Sequence, residues 1–283
     1  MTATLLAVYA HPDDEAFGVG GTLAHYSQHG VRTALVCATR GEVGEISDPA
    51  LATPETLGEV REQELRCACE ALGVQDLYFL DYRDSGMKGT PENDDERNLY
   101  RANPLDVIAK LVKIIRDLKP QVMITFEPYG GYGHPDHIAI SKHTTAAFGA
   151  AADPEQYPEA GQMWKADRLF YNTIPAKFFI EMRDKLMAAG VDVSEFPNVE
   201  DMGEHFPDEK ITTVIDVAAY TDNKLRAAMC HATQFGENNF FRRIPEEIIK
   251  QISANEYFAL IQPAPEEFGA PEHDLFEGLG ITQ

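Results

Sequence analysis

VYAHPDDEAFGVGGT, residues 8–22, decides how this chain is read. The apolar run at 4–10 fits a buried strand, and the question is what the strand feeds: a dinucleotide loop or a metal-binding turn. A dinucleotide loop needs G-x-G-x-x-G at the strand-to-helix turn, so that backbone can approach a pyrophosphate. Here Gly18, Gly20 and Gly21 give G-V-G-G, and the place of the next required glycine is held by Leu23. The turn itself holds His11, Pro12, Asp13, Asp14 and Glu15, and three carboxylates there repel a diphosphate. A metal-binding turn fits better. His11 and Asp14 offer an imidazole nitrogen and a carboxylate oxygen, good ligands for zinc or a similar divalent ion, and Pro12 stiffens the turn.

Two ligands do not make a site. The same His-Pro-Asp theme returns in GGYGHPDHIAI, residues 130–140, with His134, Asp136 and His137. Asp136 also suits the cap of the helix that follows, but capping does not call for the histidines. Between the two motifs the chain alternates strand and helix. Strands are expected at 4–10, 31–39, 76–82, 121–126 and 168–173. Helices are expected at 20–30, 57–72, 104–118 and about 136–151. Pro104 opens the third of these helices, with Leu105, Ile108, Leu111, Val112 and Ile115 on one face. The alternation implies βαβ units and a mainly parallel sheet, and near-continuous apolar strands imply helices on both faces. With the order 3-2-1-4-5, the first and fourth strands are neighbours where the order reverses, and both His-Pro-Asp turns face one crevice.

The expected fold is therefore α/β, a Rossmann-like parallel sheet covered on both faces. It forms a single domain over 1–283, with a core at about 1–175 and a smaller α+β extension at about 176–283. The extension pairs helices near 176–189, 218–232 and 245–252 with strands at 211–217 and 256–262. Residues 84–103 and 190–210 are long polar loops, and loops of that length are often functional. The acidic run PENDDERN in the first of them is expected to be a solvated loop at the pocket rim.

Composition narrows the partners. Forty-six acidic against twenty-four basic residues give a net charge of −22, which opposes nucleic acid and acidic membrane surfaces. No apolar run approaches a membrane span, and no signal segment is visible, so a cytoplasmic location is expected. Cys37, Cys67, Cys69 and Cys230 show no disulfide pattern and read as buried free thiols. The sequence leaves a homo-oligomer open.

Together, AHPDDE and the later HPDH resemble the PIG-L/LmbE-like family of metal-dependent N-acetylglucosamine deacetylases, and within it the mycothiol-pathway branch acting on N-acetylglucosaminyl-inositol. RGEVGE (40–45), REQEL (61–65), YRDSGM (82–87) and HATQ (231–234) look like further family blocks in the family order. The resemblance implies an amide hydrolase with His11, Asp14 and His137 on Zn²⁺, a donor set that Fe²⁺ also suits. It implies Asp13 as general base and a protonated His134 as oxyanion and leaving-group partner. Asp136 would orient His134, and Tyr132 would reach the oxyanion. Glu42, Arg61 and Asp84 would bind the hydroxyls of a small N-acetylglucosamine conjugate. His231 and Gln234 fall in a family-like block without an evident role. Gly18 replaces a residue that is basic in the related S-conjugate amidases, which leans away from that activity. Two readings of other classes compete. Two histidines and a carboxylate also build non-haem Fe(II) oxygenases, though on other folds, and a sugar-binding module would need no base.

Overall fold

The computed structural model describes residues 2–194, 206–236, 239–265 and 270–280. In chain order the elements are β1 (Thr4–Tyr9), α1 (Asp14–Gly18), α2 (Gly20–Gln28), β2 (Arg32–Cys37), α3 (Leu57–Leu72), β3 (Asp76–Phe79), α4 (Pro104–Leu118) and β4 (Val122–Phe126). They continue as α5 (Gly130–Gly133), α6 (Pro135–Ala151), β5 (Arg168–Thr173), α7 (Ala176–Ala188), β6 (Thr213–Asp216), α8 (Thr221–Cys230), α9 (Glu246–Ile252) and β7 (Asn255–Gln262). The strands form one seven-stranded sheet in the order β3-β2-β1-β4-β5-β7-β6. The first five run parallel, and β7 and β6 pair antiparallel at the far edge. The order expected for strands one to five is the order found. The C-terminal strands do not build a sheet of their own; they extend this one.

Local chemistry explains the elements. Every residue of β1 and of β4 is buried, as a strand covered on both faces requires. Helix α4 starts at Pro104, and the Asn103 side chain accepts the Leu105 N–H at 3.1 Å. The glycines of the opening stretch serve packing. A Cβ at Gly21 would lie 2.6 Å from Val217, so only glycine lets α2 approach the segment after β6. The N–H groups of Gly21 and Thr22 donate to the buried Glu256 carboxylate at 3.0 and 2.8 Å. Helix α2 is also preceded by the five-residue α1, which the expected helix at 20–30 did not include.

The cysteines depart from expectation. Cys67 of α3 and Cys230 at the end of α8 form a disulfide, while Cys37 and Cys69 are free and buried. The 163-residue separation has no local spacing signal, because packing of α3 against α8 brings the pair together. The loop expected at 84–103 holds a 3₁₀ turn at Pro91–Asp94, tied down by Asn93 and Asn98 side chains that donate to backbone carbonyls. The loop expected at 190–210 lies largely outside the described residues. No helix among the described residues is long and apolar enough to cross a membrane.

Candidate metal centre

The β1–α1 turn and the β4–α6 loop meet at the carboxyl edge of the two central strands. His11 follows β1, and His137 lies in the first turn of α6. His137 Nδ1 is 3.0 Å from the Gly130 carbonyl, so that nitrogen carries the proton and Nε2 presents a lone pair. That lone pair faces His11 Nδ1 at 3.0 Å. Two bare imidazole nitrogens at that distance repel, so a proton or a cation must stand between them. Asp14 closes the third side: Oδ1 is 3.3 Å from His137 Nε2, and the carboxylate reaches within 3.8 Å of His11 Nδ1. The backbone N–H groups of His11 and Ala10 donate to Asp14 Oδ2 at 2.8 and 3.2 Å, which locks its rotamer.

The other nitrogen of His11 faces a second pair of carboxylates. Nε2 lies 3.2 Å from Asp136 Oδ2 and 3.4 Å from Asp84 Oδ1. Burial pushes the His11 pKa down, but Asp84, Asp136 and Asp14 together carry it above the usual imidazole value. This is the carboxylate–histidine arrangement that aims a metal-ligating ring. Among the described residues, two buried groups of donor atoms could hold a cation: His11, His134 and His137, and His11, Asp84, His134 and Asp136. The Oδ1 atom of Asp136 is buried without a hydrogen-bond partner, an acceptor that a cation or donor would satisfy. The donor set therefore fits a divalent metal.

His134 and Asp136 behave differently from expectation. Asp136 does not cap α6. His134 does, its Nδ1 accepting the Asp136 N–H at 3.2 Å. Asp136 instead accepts from the Ser85 N–H at 2.8 Å and from His11, so its carboxylate orients His11. Burial, with His11 and His137 nearby, pushes the His134 pKa down to about 3. The ring is neutral at pH 7 rather than protonated, with its hydrogen on Nε2. The physical reason is first burial, which strips a charged ring of solvent, and then the neighbouring His11 and His137 rings.

Asp13 carries the strained backbone of the site. Its φ is +111°, a conformation that costs on the order of 1–3 kcal/mol for a residue other than glycine. Two struts hold it. Arg61, buried on α3, donates from Nη2 to Asp13 Oδ2 at 3.1 Å and to the Pro12 carbonyl at 2.5 Å, and from Nη1 to the Gly41 carbonyl at 3.0 Å. The Asp13 N–H donates to Glu15 Oε2 at 3.0 Å. Burial pushes the Asp13 carboxyl up to about 6, with Arg61 pulling against it and Asp14 adding to it.

The expected sugar-binding residues also have partners within the protein. Arg61 positions Asp13. Glu42 accepts the Asp84 N–H at 3.0 Å, and Asp84 accepts the Gly86 N–H at 2.8 Å beside His11. Tyr132 stands over the cluster, 57% exposed, its ring centroid 4.9 Å from that of His137. Its loop depends on Gly130, at φ +71°, where a Cβ would lie 2.5 Å from that of His137. A cleft of about 400 Å³ opens over Asp13, Asp14, Tyr132 and His137 toward Asn172 and Phe206.

Sequence reasoning left three contributors without a role. Glu127 accepts the N–H groups of Tyr129 and Gly131 at 2.6 and 2.5 Å and so shapes the Tyr132 loop. Glu15 Oε1 lies 2.8 Å from His231 Nε2, both fully buried. Glu64 accepts the Thr233 N–H at 2.7 Å and its hydroxyl at 2.6 Å. The REQEL and HATQ blocks therefore meet, and the only signal for this was their co-occurrence. Burial lowers the His231 pKa, but Glu15 raises it further, so the net shift is upward. Removing one partner of a buried charged pair is costly, so Glu15→Ala is expected to destabilise the protein by about 3 kcal/mol. Urea denaturation of the two proteins side by side checks this. A change below about 1 kcal/mol would mean that the pair is neutral.

Fold and site together define an α/β protein with a buried histidine–carboxylate cluster where strand order reverses. The family model described as PIG-L: GlcNAc-PI de-N-acetylase matches residues 6–148. The 1D-myo-inositol 2-acetamido-2-deoxy-alpha-D-glucopyranoside deacetylase of Acidothermus cellulolyticus is 40% identical, over 100% of this chain and 97% of its own length. Deacetylase 1 of the same description from Catenulispora acidiphila is 39% identical, over 98% and 90%. N,N'-diacetylchitobiose deacetylase from Pyrococcus horikoshii shares the fold, with a TM-score of 0.65 at 20% identity over 91% of this chain and 83% of that one. The chain belongs to the PIG-L family of N-deacetylases.

Proposed function

We propose that the protein is a zinc-dependent deacetylase of an N-acetylglucosamine conjugate, with N-acetylglucosaminyl-inositol as the substrate its relatives indicate. The observation that carries this is the facing pair of His11 Nδ1 and His137 Nε2 at 3.0 Å, with Asp14 beside them and Asp13 next in the chain. His11, Asp14 and His137 would hold the metal, leaving room for substrate and water. When bound, the metal supplies a Lewis acid for the amide carbonyl and lowers the pKa of water. Fe²⁺ suits the same donors.

The chain's own residues do the rest. Asp13, held by Arg61 and Glu15, takes the proton of the attacking water. Neutral His134 directs its Nε2 hydrogen at the carbonyl oxygen as charge builds there, and the proton that Asp13 took from the water goes to the departing amine. Tyr132, at the rim over His137, adds a hydroxyl to the same oxygen. Asp136 and Asp84 hold His11 in orientation. The site contains a base beside the metal donors, which supports hydrolysis over the binding-module and Fe(II)-oxygenase readings.

The test is amine release by zinc-loaded protein from N-acetylglucosaminyl-inositol, free N-acetylglucosamine and a thiol S-conjugate. The inositol conjugate is expected to be turned over fastest. Faster release from the S-conjugate would make the protein an amidase instead. No release from any of the three would remove the deacetylase reading.

A further inference from the structure

Beside the metal cleft lies a second chamber, of about 460 Å³. Phe178, Met182, Leu225, Met229, Ile249 and Tyr257, from α7, α8, α9 and β7, line it. Its few charged wall residues have partners. Lys224 reaches Glu256 at 2.5 Å, and Lys250 reaches Asp222 and Glu246 at 2.7 Å each. The rest of the wall is mostly apolar, with Thr173, Thr221, Ser253 and Asn255 among its lining. Phe17, Gly18, Ile174 and Phe179 line both this chamber and the metal cleft, so the two spaces meet along one wall. Phe17 and Ile174 on that wall are 40% and 43% exposed. Gly18 keeps the wall low: a Cβ there would already lie 3.0 Å from Asn172 Nδ2.

None of the proposed chemistry uses this space. An inositol ring seated in it would give up water partners without replacement, which costs energy for every hydroxyl. An alkyl or aryl group would gain there. We propose that the chamber is a subsite for an apolar substituent on the amino-sugar substrate, so that the enzyme accepts amino sugars carrying a longer alkyl or an aryl group better than the same sugars carrying a short one. This rests on the deacetylase reading above. The apolar group can arrive by two attachments, as a longer N-acyl chain or as an anomeric alkyl or aryl aglycone.

The experiment uses two ladders on the zinc-loaded protein. One extends the N-acyl group of a methyl glucosaminide from acetyl to hexanoyl. The other keeps N-acetyl and extends the anomeric alkyl group from methyl to hexyl, with phenyl alongside. Each methylene that enters the chamber is expected to raise kcat/KM by about fourfold, the gain from burying one methylene. The ladder that climbs identifies the attachment. Leu225→Trp and Ala228→Leu fill the chamber from different positions, and each is expected to flatten the climbing ladder. The readout is the ratio of long to short substrate within each variant, so a general loss of activity does not mimic the result. Two flat ladders with methyl N-acetylglucosaminide still turned over would overturn the chamber assignment and leave the deacetylase intact. If nothing is turned over, calorimetry of both ladders on metal-stripped protein decides. Affinity rising with chain length supports the chamber, and affinity independent of length overturns it.

Discussion

His137→Ala is expected to lose both bound metal and amine release. The ring supplies one of two imidazole lone pairs that face each other at 3.0 Å, and Asp14 Oδ1 sits 3.3 Å away. Losing a group that only orients a ligand costs roughly 10–100-fold in metal affinity, so losing a ligand is expected to exceed about 100-fold. Metal content after dialysis, measured by plasma emission, checks this directly, with circular dichroism confirming the fold. The wild-type protein should show a matching pH dependence. Burial pushes Asp14 up to about 6, with His11 pulling against it, and the surrounding carboxylates raise the His11 pKa. Both must shed protons before a metal binds, so affinity weakens as pH falls, first through the raised range of His11 and then through about 6 for Asp14, and metal uptake releases protons. A variant that retains stoichiometric zinc would remove His137 from the ligand set. Retention by Asp14→Asn as well would move the metal to the group of His11, Asp84, His134 and Asp136.

Asp13→Asn is expected to keep its metal and lose about 10³-fold in kcat, within the roughly 10²–10⁴ that a positioned general base contributes. Asparagine preserves shape and can still accept a hydrogen bond from Arg61, so a drop in rate reports the missing base rather than a collapsed turn. The pH profile gives the second sign. A carboxyl pushed up to about 6 is a base only above that range, so the wild-type rate falls as pH drops below about 6. At full zinc occupancy the variant should lack this limb. Measuring kcat against pH for both proteins, with zinc content quantified, decides the matter. If the variant keeps the wild-type rate, Asp13 is a turn residue and its φ of +111° has no catalytic meaning.

Much of the site was legible because its parts are local. HPDDE and HPDH place imidazoles and carboxylates within a few residues of one another, directly after apolar strands. Strand–helix alternation then leaves few topologies, and a parallel order of 3-2-1-4-5 puts both turns at one edge. The structure has that order and brings His11, Asp14 and His137 together. Periodicity and turn chemistry act over three to ten residues, and a linear reading sees that range well.

What tertiary structure alone decided lies at longer range. Family blocks point to Arg61 and Asp84 as sugar contacts but say nothing of their partners inside the protein. In the folded chain Arg61 braces Asp13 across 48 residues, and Asp84 closes on His11. Asp136 turns from its neighbour His134 to His11, 125 residues away, because the α6 cap is already filled by His134. Glu15 finds His231 at a separation of 216, and Cys67 finds Cys230 at 163. A buried polar group must pair with whatever partner the packed elements bring within reach, and sequence spacing carries no record of that partner. The sequence by itself determined the α/β class, the strand order of the core and the residues clustered at its edge. Packing decided which of those residues gather as donors that could hold a metal, which brace Asp13, and that an apolar chamber stands beside them.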